Sequence, residues 1–333
     1  MNTSIPAPLT DSYGRRISYL RISVTDRCDF RCLYCMGEDM RFAPRKDLLT
    51  LEELYRLATT FVELGARKIR ITGGEPLVRQ NIVWLLEQLG QLPLLEELVL
   101  TTNGSQLDKL AAPIRAAGVS RLNISLDSLN PSRFKEMTRV GDLHKVLSGI
   151  DAARQQDFHK IKINSVIMRN HNDDEIVPLA QFAVDNGLDI SYIEEMPLGT
   201  IENHRRDIRF YSSDEVRDTL ASKFSLLATE DTTAGPSRYY RIQGTQTRIG
   251  FISPYSHNFC DSCNRVRLTA QGRLLLCLGQ EYSVDLREVL RGPEGAAGLF
   301  RRISQGMAIK PHGHEFNRDQ QFALQRHMNV TGG

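Results

Sequence analysis

The chain has 333 residues, and their composition excludes several classes of protein. Hydrophobic residues make up 41% and charged residues 25%, which is typical of an ordered globular protein and not of a disordered or collagen-like one. The formal net charge of +2 is too small for a protein that binds nucleic acid mainly by neutralising phosphates. The length favours one domain of α/β-barrel size with an additional region.

No stretch of the sequence has the length and apolar character of a secretion signal or a membrane span. We therefore expect a cytoplasmic protein with no membrane partner. In a reducing compartment, six cysteines indicate metal ligation or thiol chemistry more readily than three structural disulfides. Their spacing then separates the kinds of site.

Short apolar runs alternate with amphipathic stretches of helical period between Arg16 and Glu195. The six predicted strands are residues 17–25, 68–72, 97–102, 121–126, 160–167 and 189–196. The predicted helices lie near residues 50–65, 78–90, 105–117, 142–156 and 173–186. This alternation predicts an α/β fold with a parallel sheet, and six units favour an incomplete (β/α)6 barrel of the triosephosphate-isomerase type. Function is then expected at the carboxyl ends of the strands.

The alternation ends after Pro197, so we divide the chain into a barrel domain, residues 1–196, and a C-terminal region, residues 197–333. The second region has predicted strands at 239–242 and 248–253, a hairpin turning at 270–272, and helices near 284–290 and 295–304. No long flexible linker separates the two regions, and we expect the C-terminal one to close the open side of the barrel. Residues 197–258 carry no chemistry that the sequence reveals.

Cys28, Cys32 and Cys35 directly follow the first predicted strand. Three thiolates in one loop can hold a [4Fe-4S] cluster and leave one iron open for another ligand. A zinc site completed by a distant His is the alternative, because structural zinc takes four protein ligands. A disulfide-exchange site would need only a pair of thiols.

Cys260, Cys263 and Cys277 form a second set of three in the C-terminal region. A second cluster with an open iron is one interpretation. A zinc ribbon is the alternative, although Cys277 provides only half of the second cysteine pair that such a site normally uses. The two sets together account for all six cysteines.

Basic residues alternate with apolar ones on several predicted strands. Arg265 and Arg267 share one face of a strand, where a solvated hairpin surface is the more common position of such a pair. Inward-facing cations in a barrel must instead be paired or bind an anion, and the guanidinium group suits phosphate. Arg21, Arg70 and Lys162 would join this pair in one cavity and make it suitable for a polyphosphate.

The segment CDFRCLYC at residues 28–35 resembles the signature of the radical S-adenosylmethionine (SAM) superfamily. The resemblance implies a partial (β/α)6 barrel, a [4Fe-4S] cluster on the three cysteines, and SAM bound to the fourth iron. GGEP at residues 73–76 is similar to the superfamily motif that holds the amino group of SAM.

Blocks along the whole chain are similar, in the same order, to the GTP 3′,8-cyclase (MoaA) family of molybdenum-cofactor biosynthesis. They are DSYGRRISYLRISVTDRCDFRCLYCM, IRITGGEPLVR, TTNG, CNRVRLT and the final Gly332-Gly333. Thr331 departs from the family pattern, in which an apolar residue usually precedes the two glycines. The resemblance implies that a 5′-deoxyadenosyl radical takes the C3′ hydrogen of GTP and that C3′ then bonds to C8, giving 3′,8-cyclo-7,8-dihydroguanosine 5′-triphosphate.

The same resemblance implies roles for individual residues and for partners. Cys28, Cys32 and Cys35 would hold the SAM cluster, and Cys260, Cys263 and Cys277 an auxiliary [4Fe-4S] cluster. SAM contacts are implied for Tyr34, Gly74, Ser125 and Met196. GTP contacts are implied for Arg21, Arg70, Thr101, Lys162, Arg265 and Arg267, and a catalytic part for Arg265, Arg267 and the first three cysteines. The implied partners are a low-potential electron donor and a downstream pyranopterin-forming enzyme, and a homodimer is a further expectation.

Overall fold

The computed structural model describes residues 8–201, 204–316 and 324–332. Its first part confirms the predicted alternation of strands and helices. The strands are β1 (Tyr19–Ser23), β2 (Lys68–Thr72), β3 (Glu97–Thr102), β4 (Arg121–Ser125), β5 (Lys160–Ile167) and β6 (Asp189–Glu194). The helices are α1 (Leu51–Glu63), α2 (Ile82–Gly90), α3 (Leu107–Ala116), α4 (Pro131–Thr138), α5 (Leu143–Arg154) and α6 (Ile176–Asp185).

Local capping residues fix where several of these helices begin. Thr50 accepts a hydrogen bond from the Glu53 amide, and the Glu53 carboxylate accepts one from the Thr50 amide, so a capping box opens α1. Helix α4 was not predicted from the sequence, although it has a clear start. Its Asn130 side chain accepts from two backbone amides and is followed by Pro131 at the first helical position.

The C-terminal region contributes the remaining elements. They are α7 (Arg206–Arg209), α8 (Ser213–Ala221), β7 (Leu226–Ala228), β8 (Arg238–Ile242), β9 (Arg248–Ile252), β10 (Arg265–Leu268), β11 (Arg273–Leu275), β12 (Ser283–Asp285), α9 (Arg287–Arg291), α10 (Gly295–Ala308) and α11 (Met328–Thr331). The helix predicted near 284–290 is wrong in its first half. Val284 is buried opposite Leu274 in an antiparallel pair of strands, and the helix begins only at Arg287.

The twelve described strands form one open sheet in the order β12-β11-β10-β1-β2-β3-β4-β5-β6-β9-β8-β7. Strands β1 to β6 are parallel and adjacent in chain order. The C-terminal region extends both edges of this parallel part, because β10 pairs with β1 and β9 pairs with β6, each in parallel. Both regions of the chain therefore contribute to a single sheet.

The two faces of the central strands have different surroundings. Leu20 and Ile22 on β1, and Ile69 and Ile71 on β2, are fully buried in the hydrophobic core, which also contains the apolar side of α1. Side chains alternate along a strand, so the residues between them, such as Arg21, face the opposite side.

None of the described helices is long and apolar enough to cross a membrane.

Candidate functional site

A cavity with an empty volume of about 1110 Å³, including its mouth, lies on the face of the sheet that carries Arg21 and Arg70. The five cations predicted to share a cavity all line it: Arg21, Arg70, Lys162, Arg265 and Arg267. None of the described residues lining this cavity is Asp or Glu. The excess of positive charge is therefore not neutralised by carboxylates within the lining, which makes the cavity suitable for a polyanion.

Arg265 and Arg267 face this cavity and not the solvated side of their hairpin. The Arg265 guanidinium lies 4.9 Å from the centre of the Phe259 ring. Arg267 donates a hydrogen bond from Nη1 to the Gly332 carbonyl oxygen at 2.7 Å. Burial and the neighbouring Arg265 lower the pKa of Arg267 to about 10. Both side chains are thus held in a site where an added anion would relieve their repulsion.

Three of the arginines form a row across neighbouring strands. Arg21 on β1 is directly paired with Arg267 on β10 and with Arg70 on β2. Because adjacent strands lie about 4.8 Å apart, the row spans roughly 10 Å. Such a row places its forked donors along a line. It therefore suits a linear chain of phosphates better than one compact anion.

Arg70 is held by polar neighbours on three strands. Its Nη1 donates to the hydroxyl of Thr101 at 2.8 Å, and its Nε donates to the hydroxyl of Tyr19. With its amide oriented to donate to Leu122, Asn123 also accepts from Arg70 Nη1 at 2.7 Å. Thr101 is thus placed beside the cations, as the sequence suggested, whereas Tyr19 and Asn123 were not singled out.

Lys162 extends the basic lining on β5. It donates to the hydroxyl of Tyr239 at 3.2 Å, and its burial lowers its pKa. Tyr239 lies in the part of the chain whose chemistry the sequence did not reveal. Thr233 and Ser237 from the same part also line the cavity.

The second set of cysteines borders the same cavity. Cys260, Cys263 and Cys277 are free thiols, and all three line it. Lys310 Nζ lies 3.8 Å from the sulfur of Cys263 and donates to the Leu276 carbonyl at 2.7 Å. Burial alone would raise the pKa of Cys263, but Arg265 and Lys310 outweigh it and lower that pKa. Donors close to sulfur, such as Lys310, suit a thiolate-bound iron cluster.

The first set of cysteines lies in the loop after β1. Cys28, Cys32 and Cys35 are free and half-buried, and burial raises the pKa of each thiol. The Phe30 amide donates to the Cys28 sulfur at 3.3 Å, and the Asn103 amide nitrogen lies 3.9 Å from it. Because burial favours the protonated thiols, binding to iron must displace their protons. The sulfur of Cys28 already has hydrogen-bond donors close to it.

No group of three or more His, Cys, Asp or Glu side chains in residues 8–201, 204–316 and 324–332 converges on a site for a single metal ion. A [4Fe-4S] cluster differs from zinc in this respect, since each thiolate ligates a different iron. The free thiols of both sets fit the donor chemistry of such clusters.

The GGEP turn after β2 packs directly against the backbone of Asp26 and Arg27, the two residues that precede Cys28. A Cβ atom on Gly74 would overlap the carbonyl oxygen of Arg27 and lie 2.6 Å from its carbonyl carbon and 2.8 Å from the Asp26 oxygen. Only a glycine permits this approach of the two backbones. Gly74 thus fixes the position of the cysteine loop.

We expect Gly74→Ala to destabilise the protein by about 1–3 kcal/mol, because the new methyl group must push the Arg27 backbone aside. Iron incorporation should fall with it, since the displaced segment carries Cys28. Thermal unfolding and iron content of the reconstituted protein measure the two effects. Gly37→Ala is the matched control, because nothing lies within 4 Å of a Cβ at that position in the same loop. Equal losses in the two variants would contradict the role given to Gly74.

Glu75 connects the GGEP turn to the end of β3. Its carboxylate accepts hydrogen bonds from the Leu77 amide, the Thr102 hydroxyl and the Asn103 amide at 2.9, 2.8 and 2.6 Å. Burial nevertheless raises the pKa of Glu75 to about 8. These hydrogen bonds hold the residues at the end of β3 in place. One of those residues, Asn103, has its side-chain nitrogen close to the Cys28 sulfur.

The other residues suggested as SAM contacts lie in separate parts of the chain. Tyr34 donates to Asp127 Oδ2 at 2.7 Å, and Asp127 Oδ1 accepts from the Val166 amide at 2.8 Å. Burial raises the pKa of Asp127 to about 6. Ser125 ends β4, and Met196 lines the large cavity beyond β6. The aromatic ring of Tyr34 is therefore oriented by Asp127, which lies two residues beyond the end of β4.

The C-terminal tail reaches the arginine row. Gly332 accepts hydrogen bonds from Arg267 at 2.7 Å and from Arg21 at 3.4 Å. Thr331 is fully buried, and its hydroxyl donates to the Met328 carbonyl at 3.1 Å. That local bond explains how a polar residue is accommodated there. Gly333 lies outside the described residues.

Two family models match successive parts of the chain. The model of the radical SAM superfamily matches residues 22–183. The model described as Molybdenum Cofactor Synthesis C matches residues 188–316. The first matched range contains the first cysteine set, and the second contains the other.

Curated relatives match over nearly the full length. A GTP 3′,8-cyclase from Pseudomonas entomophila is 57% identical over 330 residues, which cover 98% of this chain and 99% of the relative. A GTP 3′,8-cyclase from Saccharophagus degradans is 56% identical over 326 residues, which cover 98% of each chain.

Solved structures show a similar fold at much lower identity. Streptococcus suis SuiB bound to S-adenosylmethionine has a TM-score of 0.59 and 14% identity, covering 91% of this chain and 77% of that chain. SuiB bound to its precursor peptide SuiA has a TM-score of 0.61 and 15% identity, covering 92% and 77%. These likenesses establish the fold and carry no argument about substrate.

Proposed function

Since the chain belongs to the radical SAM GTP 3′,8-cyclases of molybdenum cofactor synthesis, we propose that its five-cation cavity binds the triphosphate of GTP. Members of this family use SAM and two [4Fe-4S] clusters. When bound, SAM and its cluster supply the radical that removes the C3′ hydrogen of GTP. The contribution of this chain's own residues is to bind and orient the nucleotide and to exclude water.

The observation that carries this proposal is the cavity lining itself. It combines five cations with no carboxylate among its described residues. The row formed by Arg267, Arg21 and Arg70 would take the phosphates, and Lys162 and Thr101 would contact the remaining polar atoms of the ribose and phosphates. A charge-assisted bond from Arg is roughly twice as strong as a neutral one, so the row supplies both affinity and orientation.

The cysteines at one side of the cavity would hold the auxiliary cluster. Cys260, Cys263 and Cys277 line the cavity together with the Phe259 ring. Placing the triphosphate on the arginine row would direct the guanine ring toward these cysteines. These three thiolates would hold a cluster with one iron left open, which would supply a binding site for guanine.

The loop after β1 would hold the SAM cluster through Cys28, Cys32 and Cys35. Its position beside the GGEP turn supports this proposal, because Gly74 is in backbone contact with Arg27. SAM would contact the protein at four positions in separate elements: Tyr34, Gly74, Ser125 and Met196. Met196 also lines the cavity, so SAM and GTP would meet there.

The expected architecture follows from the same cavity. Residues of β1, β2, β4, β5, β6, β9 and β10 line one space, which requires a strongly curved sheet. We propose that the barrel domain, residues 1–196, is a partial (β/α)6 barrel whose open side is closed by residues 197–333. The lining residues Thr233, Phe259 and Arg265 come from the second region and support the closure.

The partners proposed for this reaction follow from its chemistry. SAM cleavage needs a low-potential one-electron donor, and the cyclised triphosphate would pass to a pyranopterin-forming enzyme. The six free cysteines suit a reducing cytoplasm. A homodimer is part of the same proposal.

Replacing Arg267 by Ala tests where the triphosphate binds. We expect GTP to bind about tenfold more weakly or worse, because a lost charge-assisted bond is worth about 1.5–3 kcal/mol and about 1.4 kcal/mol corresponds to a factor of ten. Arg265→Ala should behave alike. Guanosine, which has no phosphates, should bind poorly to the wild type and lose little more affinity in either variant. The measurement is equilibrium binding of GTP and guanosine under anaerobic conditions.

Arg273→Ala provides the matched control for this experiment. Arg273 lies on the partner strand of the same hairpin, but it is exposed and bonded to Ser283. It should leave GTP affinity unchanged. Iron content must stay at the wild-type level in all three variants. Wild-type GTP affinity in both Arg265→Ala and Arg267→Ala would overturn the proposed phosphate site.

A further inference from the structure

Tyr19 occupies an unusual position beside the arginine row, between its cross-strand partners Arg265 and Lys68. Its side chain is 1% exposed, and its hydroxyl oxygen accepts a hydrogen bond from Arg70 Nε. The ammonium of Lys68 lies 5.2 Å from the centre of its ring. Among the described residues, no hydrogen bond is found in which the Tyr19 hydroxyl donates its own proton. The oxygen thus lies in an environment that favours an acceptor, and a phenolate is a pure acceptor.

Within the part of the chain that the structure describes, the charged groups around Tyr19 are almost all cations. They come from its own strand and from the neighbouring ones: Arg21 on β1, Lys68 and Arg70 on β2, Arg265 and Arg267 on β10, and Glu97 on β3. Glu97 is already paired with Lys68 and with Arg121, the latter at 3.0 Å. Burial by itself would raise the pKa of Tyr19, but Arg70, Arg21 and Lys68 outweigh it and lower that pKa to about 7.

We propose that Tyr19 is a proton-linked counter-ion of the phosphate site: its phenolate balances Arg70 in the empty cavity, and it takes up one proton when the GTP triphosphate arrives. This inference rests on the proposed binding of the triphosphate at the arginine row. The proton comes from solvent, no bond of GTP is broken, and no electron is transferred. Tyr19 takes no part in the radical chemistry and acts only on the positions of Arg70 and the phosphates.

The physical reason is competition for the same cations. A triphosphate beside Arg21 and Arg70 places several negative charges close to the phenol oxygen. Like charges nearby favour the neutral form of an acid, so the phenolate is protonated in the complex. The neutral phenol then has a hydrogen that it can donate to a phosphate oxygen.

The sign of the pH dependence follows from linkage. Binding takes up a proton, so affinity for GTP is highest where Tyr19 is already protonated and falls as pH rises above about 7. The decline should approach roughly tenfold per pH unit until the pH reaches the phenol's raised pKa in the complex. Tyr19→Phe has no phenol to titrate and should lack this component.

Calorimetry of GTP binding to the anaerobic, cluster-loaded protein tests the proposal. At pH about 8, which is above the pKa of about 7 of the free phenol, binding heats in two buffers of different ionisation enthalpy give the number of protons taken up. We expect uptake close to one proton more in the wild type than in Tyr19→Phe. Titration of the GTP phosphates contributes equally to both proteins and cancels in the difference.

Tyr192→Phe is the matched control. Tyr192 is as buried as Tyr19, but its hydroxyl donates to the Ile176 carbonyl at 2.6 Å away from the cavity lining. This variant should take up the same number of protons as the wild type. Iron content and thermal unfolding of both Phe variants show whether either change damages the fold.

The possible results distinguish a failure of the counter-ion role of Tyr19 from a failure of the phosphate site. Equal proton uptake in wild type and Tyr19→Phe, with GTP still bound through Arg267, overturns the counter-ion role alone. GTP binding that is indifferent to Arg267→Ala overturns the phosphate site on which that role depends. If Tyr19→Phe failed to fold, a wild-type affinity for GTP that stayed flat between about pH 7 and about pH 9 would by itself contradict the proposal.

Discussion

We expect Cys28→Ser to abolish reductive cleavage of SAM, because it removes one of the three thiolates proposed to hold the cluster that delivers the electron. The loss should be complete and independent of GTP. The fold should survive the change. A serine oxygen can still accept from the Phe30 amide, which now donates to the Cys28 sulfur at 3.3 Å. Circular dichroism should therefore match the wild type, whereas activity should not.

The measurement is release of 5′-deoxyadenosine from SAM with dithionite as the reductant. Dithionite bypasses any protein electron donor, so a loss cannot reflect failed docking of a partner. Reconstituted iron should fall to about half of the wild-type value, since only one of two cubane clusters is lost. Continued release of 5′-deoxyadenosine by Cys28→Ser would show that the first cysteine set does not hold the SAM cluster.

The sequence was sufficient to predict the central part of the fold. Strands such as Lys68–Thr72 combine β-branched residues with buried positions on both faces, and amphipathic helices separate them. Those signals are local, so they can be recognised without knowledge of the rest of the chain. Short elements gave weaker signals. Strand Ser283–Asp285 has only three residues, too few to show an alternation against the helix that follows.

Some elements that were missed had readable signals. Helix α8 is opened by Ser212 and Glu215, whose side chains and backbone amides form a capping box. The spacing of these two residues is a recognised start signal that could have been used. Helix α4 likewise begins with Asn130 followed by Pro131.

The candidate site could be predicted where alternation along a strand fixes the direction of a side chain. Arg265 and Arg267 were expected on one face, and so were the basic residues of β1, β2 and β5, because side chains alternate with a period of two. The cavity brings them together. Tyr19 shares that period with Arg21, yet a tyrosine at the start of a strand is common in any core. Its importance depends on which cations surround it.

Contacts across large sequence separations were beyond the reach of local patterns. The bond between Arg267 and Gly332 joins residues 65 positions apart. The contact of Lys162 with Tyr239 spans 77 positions. Nothing near Tyr239 in the sequence marks it as a neighbour of β5, since Tyr239 lies on β8, which joins the sheet beyond β6 and β9.

Cys277→Ser should separate the two activities that Cys28→Ser abolishes together. Cys277 lines the cavity, and its loss would remove the auxiliary cluster while leaving the loop after β1 untouched. We therefore expect SAM cleavage to persist with dithionite while conversion of GTP to the cyclised triphosphate disappears. The cleavage would be uncoupled, because guanine would lack the open iron that positions it.

Three quantities measured on the same samples test this expectation: 5′-deoxyadenosine, the cyclised product and protein-bound iron. Iron should again fall to about half, now from the other cluster. Cys28→Ser is the natural comparison, since it should lose both products at the same iron content. Iron equal to the wild type in Cys277→Ser would exclude a cluster at the second cysteine set. Undiminished cyclisation at half the iron would instead show that this cluster is dispensable for orienting GTP, and the arginine row alone would have to position the nucleotide.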